Sequence, residues 1–378
     1  MTPVDQPNLA PPTLFDLLAR QWRRPAAIER LAFNADQSAV AFAGADGSLA
    51  LVPLADAEAP ATRVRTSIET GRTSIRPREK PVRPPVVVGP VDDRAPLLAP
   101  HRRSSFVVTD RDGKILSVTP RGQIVPFATR LPGPATALAT HAASGRIAWA
   151  AGTELALAAQ EDTGSATRLR HARAITALAF SPDGARLAAA DAAGVALWPC
   201  DGEGPPAELP FPGTPCDVAW SPDGHWLACP LAAEGFQLLR PADGWGGVVL
   251  GYPTPTRSLV WSAPGQAFVT AGAYRVAAWS MAALPLTDAA AGALQTGRPG
   301  LVVVERVAAH PSRDLVAAGY ANGQVSIMRL GQRDEMLLRQ DGRGAVTALA
   351  WSPDGEHLAL GTADGLAALV SFPPHLFK

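Results

Sequence analysis

Acid–base, nucleophilic or metal chemistry in this 378-residue chain would have to be built from seven histidines, three cysteines and a few paired carboxylates. Histidine titrates near neutral pH and is the commonest catalytic base and metal ligand. Yet His101, His141 and His310 each occupy a position that serine fills elsewhere in a recurring turn, which predicts a shared structural role. His225 follows such a turn opposite Trp220, His357 is its counterpart in the last unit, and His375 lies in the tail. Cys200, Cys216 and Cys229 are too few, and odd in number, for a disulfide framework. If the Ser221–Gly224 turn sets the register, Cys216 and Cys229 oppose each other on adjacent strands, where they could form a disulfide or half a metal site. No Cys-x-x-Cys spacing accompanies them, and His225 stands four strand residues from Cys229, about 13 Å at the rise of a strand. Free thiols are expected. Gly244-Trp-Gly-Gly247 lacks the Lys-Ser/Thr of a phosphate loop, and no Gly-x-Ser-x-Gly elbow occurs. Asp92-Asp93 and Asp334-Glu335 read as solvated loop acids. The expectation is a non-enzyme with no catalytic, metal or cofactor-binding residues.

The elements that would position any site repeat along the chain. Leu178-Ala-Phe-Ser-Pro-Asp-Gly184, Val218-Ala-Trp-Ser-Pro-Asp-Gly224 and Leu349-Ala-Trp-Ser-Pro-Asp-Gly355 share one pattern, each followed by a second apolar strand. A third strand follows, as in Val195-Ala-Leu-Trp198. In Pro-Asp-Gly, proline presets φ, aspartate bonds its own backbone and glycine takes the positive φ of a tight turn. The first turn residue recurs as Asn34, His101, His141, Ser181, Ser221, Ser262, His310 and Ser352, at steps of 67, 40, 40, 40, 41, 48 and 42 residues. The 48-residue step carries an Ala/Gly-rich insertion near Asp288 to Gly297. A period near 40 residues with short apolar strands is the pattern of a propeller. One such sheet cannot cover both its faces, whereas a closed ring of them can. Eight units are favoured; seven is the alternative if the atypical second unit, Leu97 to Phe127, packs irregularly.

These turns, this period and Trp198 at the end of a third strand resemble the WD-repeat family over about residues 28–372. The resemblance implies an all-β, closed propeller of four-stranded antiparallel blades that acts as a protein-interaction scaffold. The chain departs from the family where Trp198-Pro199 and Trp279-Ser280 replace Trp-Asp, and where Gly-His survives only as Arg170-His171. His171 falls at the family's structural histidine, and most blades are expected to lack the His–Ser/Asp–Trp network and to rely on apolar packing. The resemblance also implies that the loops between strands b and c, and between d and the next a, gather on one binding face. Tyr252, Arg257, Tyr274, Arg275, Tyr320 and Arg343 map there, and Arg111, Arg130 and Arg173 lie farther round. Tyrosine and arginine are over-represented at interface hot spots, so these six are the candidate partner-binding residues. The alternative is a ligand-binding or enzymatic propeller using the central channel, near which Asp217 and Glu305 are the only acids obviously close to first strands.

Family closure requires a fourth strand for the last blade from residues 1–27. Leu14 to Ala19 is placed to supply it, but also reads as a short helix capped by Thr13 with Leu14, Leu17, Leu18 and Trp22 on one face. Residues 373–378 form a tail. Within an insertion at about residues 61–95, Arg63, Arg65, Arg72, Arg76, Arg78, Lys80 and Arg83 face only Glu69 and Glu79 over residues 63–84. This stretch reads as a mobile solvated loop, or as a basic arm for nucleic acid or an acidic partner. No aromatic is interleaved for base stacking, and the formal net charge is zero, so nucleic acid is not favoured. The hydrophobic fraction of 47% and charged fraction of 18% suit a protein with a large core. Neither an apolar signal core nor a membrane-length span is present, so a cytoplasmic protein without a membrane partner is expected. Arginine replaces lysine almost throughout and alanine abounds, which points to a GC-rich, bacterial coding genome.

Overall fold

The computed structural model describes residues 12–66, 73–101, 104–159, 162–201, 204–288, 290–340, 342–374 and 376–377. Eight four-stranded antiparallel sheets follow one another around a central channel. The inner strands (a) of blades one to eight are Ile28–Phe33, Leu98–Pro100, Ala137–His141, Ala177–Phe180, Ala219–Trp220, Leu259–Ser262, Val304–Ala309 and Val346–Trp351. The second unit forms a complete blade with a bulge between Lys114 and Leu116, so the count is eight and not seven. Within blades one to seven, strands b, c and d lie successively outwards.

Alternation along each strand explains why the middle strands are apolar at most positions. Successive side chains point to opposite faces of a sheet, and here each face meets another blade. In blade one, Ala39, Ala41, Ala43, Leu49 and Leu51 pack with Phe106 and Val108 of blade two. The intervening Val40, Phe42, Ala50 and Val52 pack with Ala359, Ala367 and Leu369 of blade eight. Among the described residues no strand pairing joins neighbouring blades, and such face-to-face layers hold the ring together with cross-blade hydrogen bonds. Glycine is required where layers come closest: a Cβ on Gly361 would lie 2.4 Å from Ile28 Cγ2, across the joint between blades eight and one.

Of the two readings of Leu14 to Ala19, the helix is the one formed, and the closing strand follows it. Thr13 caps a helix over Leu14–Leu18 through a reciprocal capping box with Asp16. Strand Ala19–Arg23 follows and pairs with Leu366–Ser371, from Ala19 opposite Val370 to Arg23 opposite Leu366. The closing strand therefore lies one helical turn beyond Leu14 to Ala19. The first residue's neighbours decide this, because Phe15 and Leu18 are buried against blades seven and eight as the cap of that joint.

The described parts of the blade-one insertion fold back on the ring, in contrast to the expected mobile loop; residues 67–72, with Glu69 and Arg72, lie outside the described residues. Pro60–Arg63 forms a helical turn, Val64–Thr66 pairs with Thr73–Ile75, and Val86–Val88 then supplies strand d. Arg63 is only 6% exposed, with Nη2 donating to the Leu17 carbonyl and Nε to the Glu58 carbonyl. Arg78 donates to the Asp56 carboxylate, which also faces Arg20 at 3.8 Å. Trp22 Nε1 donates to the Arg83 carbonyl at 2.7 Å, tying a proline-rich strap over the closing strand. Among the described helices, none is long and apolar enough to cross a membrane.

Candidate functional site

The a–b turns form one rim of the ring, and their side chains serve its architecture. Ser181, Ser221 and Ser352 each donate to the aspartate two residues on, inside their own turn. Asn34, His141 and His310 reach instead into the next blade, to the carbonyls of Ser104, Pro182 and Gly355. Gly355 has φ +76° and no Cβ, and a Cβ there would lie 2.3 Å from the His310 ring. The structural role expected of His141 and His310 is thus a cross-blade hydrogen bond. A second set of pins was not foreseen: Trp220, Trp261 and Trp351 donate their indole N–H to Ala179, Ala219 and Ala308 of the preceding inner strand. The signal was the Trp-Ser step shared by these three turns, whose tryptophan sits where an inner strand meets its neighbour.

Blade four retains part of the histidine network. His171 Nε2 lies 2.7 Å from Asp191 Oδ2, with both side chains almost fully buried, and its ring meets Trp198 edge-on. Cys200, Cys216 and Cys229 are free thiols. Cys216 Sγ contacts the Pro230 carbonyl at 3.5 Å, while Cys229 lies in a fully buried strand where burial pushes its thiol far up. Asp354, Glu356 and His357 bring three potential ligand atoms within 4.8 Å of one another. Asp354 already accepts from Ser352 and Glu356, and His357 Nδ1 lies 2.8 Å from Ser371 Oγ, so turn and strand contacts occupy this group. His375 lies outside the described residues.

The opposite rim gathers the d–a and b–c loops, and the six candidate residues divide there. Tyr274 is 49% exposed at the b–c loop of blade six, and Arg275 beside it reaches a cleft shared with Arg298 and Arg333. Arg343 is exposed in the loop entering blade eight. Arg257 is exposed in the loop entering blade six, at the channel mouth. Tyr252 is half-buried, with its hydroxyl 2.6 Å from Thr270 Oγ1, and burial pushes its phenol up to about 12. Tyr320 is 7% exposed and packs with Val307 and Val316, so it belongs to the core and not to an open surface. A neighbour went unnoticed in the sequence: Leu301 is 95% exposed, and Gly300 beside it donates to the Tyr274 carbonyl at 2.9 Å.

The channel mouth at this rim holds a second group of residues. A cavity of about 310 Å³ is lined by Arg30, Asp217, Arg257 and Arg306 with Glu29 and Thr347. Bulges between Ile28 and Arg30, Val304 and Arg306, and Val346 and Ala348 break the alternation of three inner strands at this level. A bulge re-aims side chains relative to regular pairing. Arg306 donates from Nε to the Thr347 carbonyl of the next blade and from Nη1 to the Glu305 carbonyl. Burial lowers the Arg30 and Arg306 guanidinium groups below their ordinary range, opposed for Arg30 by Asp217 and Glu29 and for Arg306 by Glu305. Asp217 is exposed to the channel yet surrounded by protein, and burial raises its carboxyl despite the Val218 amide and the pull of Arg30 and Arg306. The legible signal was the parallel Ile28-Glu-Arg30 and Val304-Glu-Arg306 at equivalent points of two repeats.

The fold is an eight-bladed β-propeller, and two of its stretches are similar to WD-repeat families. Residues 165–198, which contain His171, Asp191 and Trp198, match the family described as "WD domain, G-beta repeat". Residues 308–373, spanning much of blades seven and eight, match "Anaphase-promoting complex subunit 4 WD40 domain". No curated protein matches the chain. The computationally designed Ika8 protein is similar in structure at 17% identity and TM-score 0.62, over 93% of this chain and 98% of that one. The Pan2 WD40 domain of Neurospora crassa is similar at 15% identity and TM-score 0.56, over 74% of this chain and 89% of that one. At such identities the likeness speaks to fold alone.

Proposed function

We propose that this protein is a non-catalytic, cytoplasmic scaffold that binds a protein partner across the rim formed by its d–a and b–c loops. The observation that carries this reading is the pairing of Tyr274, 49% exposed, with Leu301, 95% exposed, on loops joined by a backbone hydrogen bond. Large apolar groups held in water lose hydrophobic stabilisation that a partner surface would restore. Arg275 beside them, with Arg257 and Arg343 on the same rim, supplies the polar surround typical of an interface. The WD40 likeness supports the scaffold reading, because such propellers commonly serve as interaction platforms. A basic arm for nucleic acid finds less support, since Arg63 and Arg78 spend their charge inside the fold.

The triple variant Tyr274→Ala/Arg275→Ala/Leu301→Asp is expected to melt like the parent protein and to lose its partner in affinity capture. Tyr252→Phe is expected to leave capture intact, because its hydroxyl is turned inward to Thr270. Equal recovery of partner by the triple variant would refute this assignment.

A further inference from the structure

We propose that the mouth of the central channel is a binding site for an oxyanion, a phosphate or carboxylate group held between Arg30, Arg257 and Arg306. The three side chains come from blades one, six and seven and line one cavity of about 310 Å³, within the range of small-ligand sites. Among the described residues, neither the Arg30 nor the Arg257 guanidinium makes a hydrogen bond or an ion pair. Arg306 is fixed by two backbone carbonyls, which orients a planar donor group at the cavity wall. Guanidinium groups present paired N–H donors that match the oxygens of phosphate and carboxylate. Arg306 is repelled by both Arg257 and Arg30, and an anion bridging them would relieve that repulsion.

Acidic groups at the same level set the selectivity. Glu29, Asp217 and Glu305 face the arginines electrostatically, but none of their carboxylate oxygens lies within 4.0 Å of a guanidinium nitrogen. Asp217 uses its carboxylate on the Val218 amide alone among the described residues. It therefore opposes anion entry without cancelling the arginine donors. Removing its charge without changing its shape should tighten anion binding, an outcome that a merely structural aspartate would not produce. Arg257 is shared with the protein-binding rim, but Arg30 and Arg306 are not, so Arg30→Gln tests this site separately from the reading built on Tyr274 and Leu301.

The test is calorimetric titration of the full chain with inorganic phosphate and with citrate, in a phosphate-free buffer of low ionic strength, where screening is weak. Saturable binding is expected, weakened about tenfold in Arg30→Gln and in Arg257→Gln, as fits loss of a charged hydrogen bond. Asp217→Asn is expected to bind more tightly than the parent protein. A hexaglutamate peptide forms the second arm. If it binds and the free anions do not, with the same dependence on Arg30, the acidic group comes from a partner chain. Failure of all three probes to bind, or equal binding by the parent and the Arg30→Gln/Arg257→Gln variant, overturns the proposal. Unchanged melting of each variant guards against a trivial loss of fold.

Discussion

His310 shows how one ring can serve the whole turn rim. Its Nε2 donates to the Gly355 carbonyl of the next blade at 3.2 Å, and its Nδ1 accepts from the Ser312 amide at 3.2 Å. Protonating Nδ1 would set two N–H groups against each other. Burial is the leading cause that holds this imidazole below its usual range; Arg313 adds to it, while the Gly355 carbonyl and Asp354 oppose it. Burial likewise lowers His357, with Arg20 adding and Asp354 opposing. The unfolded chain then binds protons more readily than the folded one. Stability is complete above about pH 6.5, the unfolded value, and is lost as the pH falls through the lower folded values. The urea midpoint is therefore expected to drop on acidification from about pH 7.5 to 5.5, and His310→Gln, which keeps an N–H donor, should reduce that slope. A slope unchanged by the substitution would remove His310 from this account. At this scale the sequence was half legible. The turn position of His310 was visible in the repeat, but its partner one blade away was not, because sequence spacing carries no information about a neighbour 45 residues distant. Tyr320 shows the opposite failure: residue type suggested an interface, while alternation along a fully buried strand turned it into the core.

The strap over the closing strand is an element held by charge more than by apolar area. Asp56 accepts from Arg78 and faces Arg20, Glu58 accepts the Glu79 and Lys80 amides, and Trp22 bonds the Arg83 carbonyl. Burial works to raise the Asp56 carboxyl, but the Arg78 hydrogen bond, the Glu58 amide and the two guanidinium groups outweigh it and hold it low. Breaking a largely buried ion pair by removing one partner costs about 3–5 kcal/mol. Asp56→Asn should accordingly release the strap while the blades stay folded. Trypsin should then cut after Arg78 much faster than in the parent protein, since proline follows Arg76, Lys80 and Arg83 and blocks cleavage there, with the rest of the chain resistant. Equal cleavage rates would mean that other contacts hold the segment. Composition misled here because seven basic residues against two acids read as a solvated run. The acids Asp56 and Glu58, which pair with Arg78, lie just before the stretch and belong to the loop after strand c. The inner-strand bulges were hidden for a related reason: a bulge changes which way a side chain points without changing its spacing.

At the scale of the molecule, the ring depends on a pairing between its two ends. Repeat period and turn chemistry made the eight-bladed count readable, since each unit reuses one hairpin and one pattern of burial. Closure was readable only in outline, because Leu14 to Arg23 contains both a helix signal and a strand, and packing against blades seven and eight divides them. Deleting residues 1–23 should leave Leu366–Ser371, buried along its whole length, as an open edge. The expected result is a lower melting temperature and self-association in light scattering. A monomer as stable as the parent chain would show that the joint between blades eight and one closes without that strand. The same pairing has a consequence for biosynthesis. Residues 19–23 leave the ribosome long before residues 366–371 exist, so the nascent chain must carry that strand unmatched while seven sheets assemble behind it. Stop codons or ribosome stalls late in translation would leave an arc of finished sheets with two bare ends, the form in which chaperones would most often meet this protein.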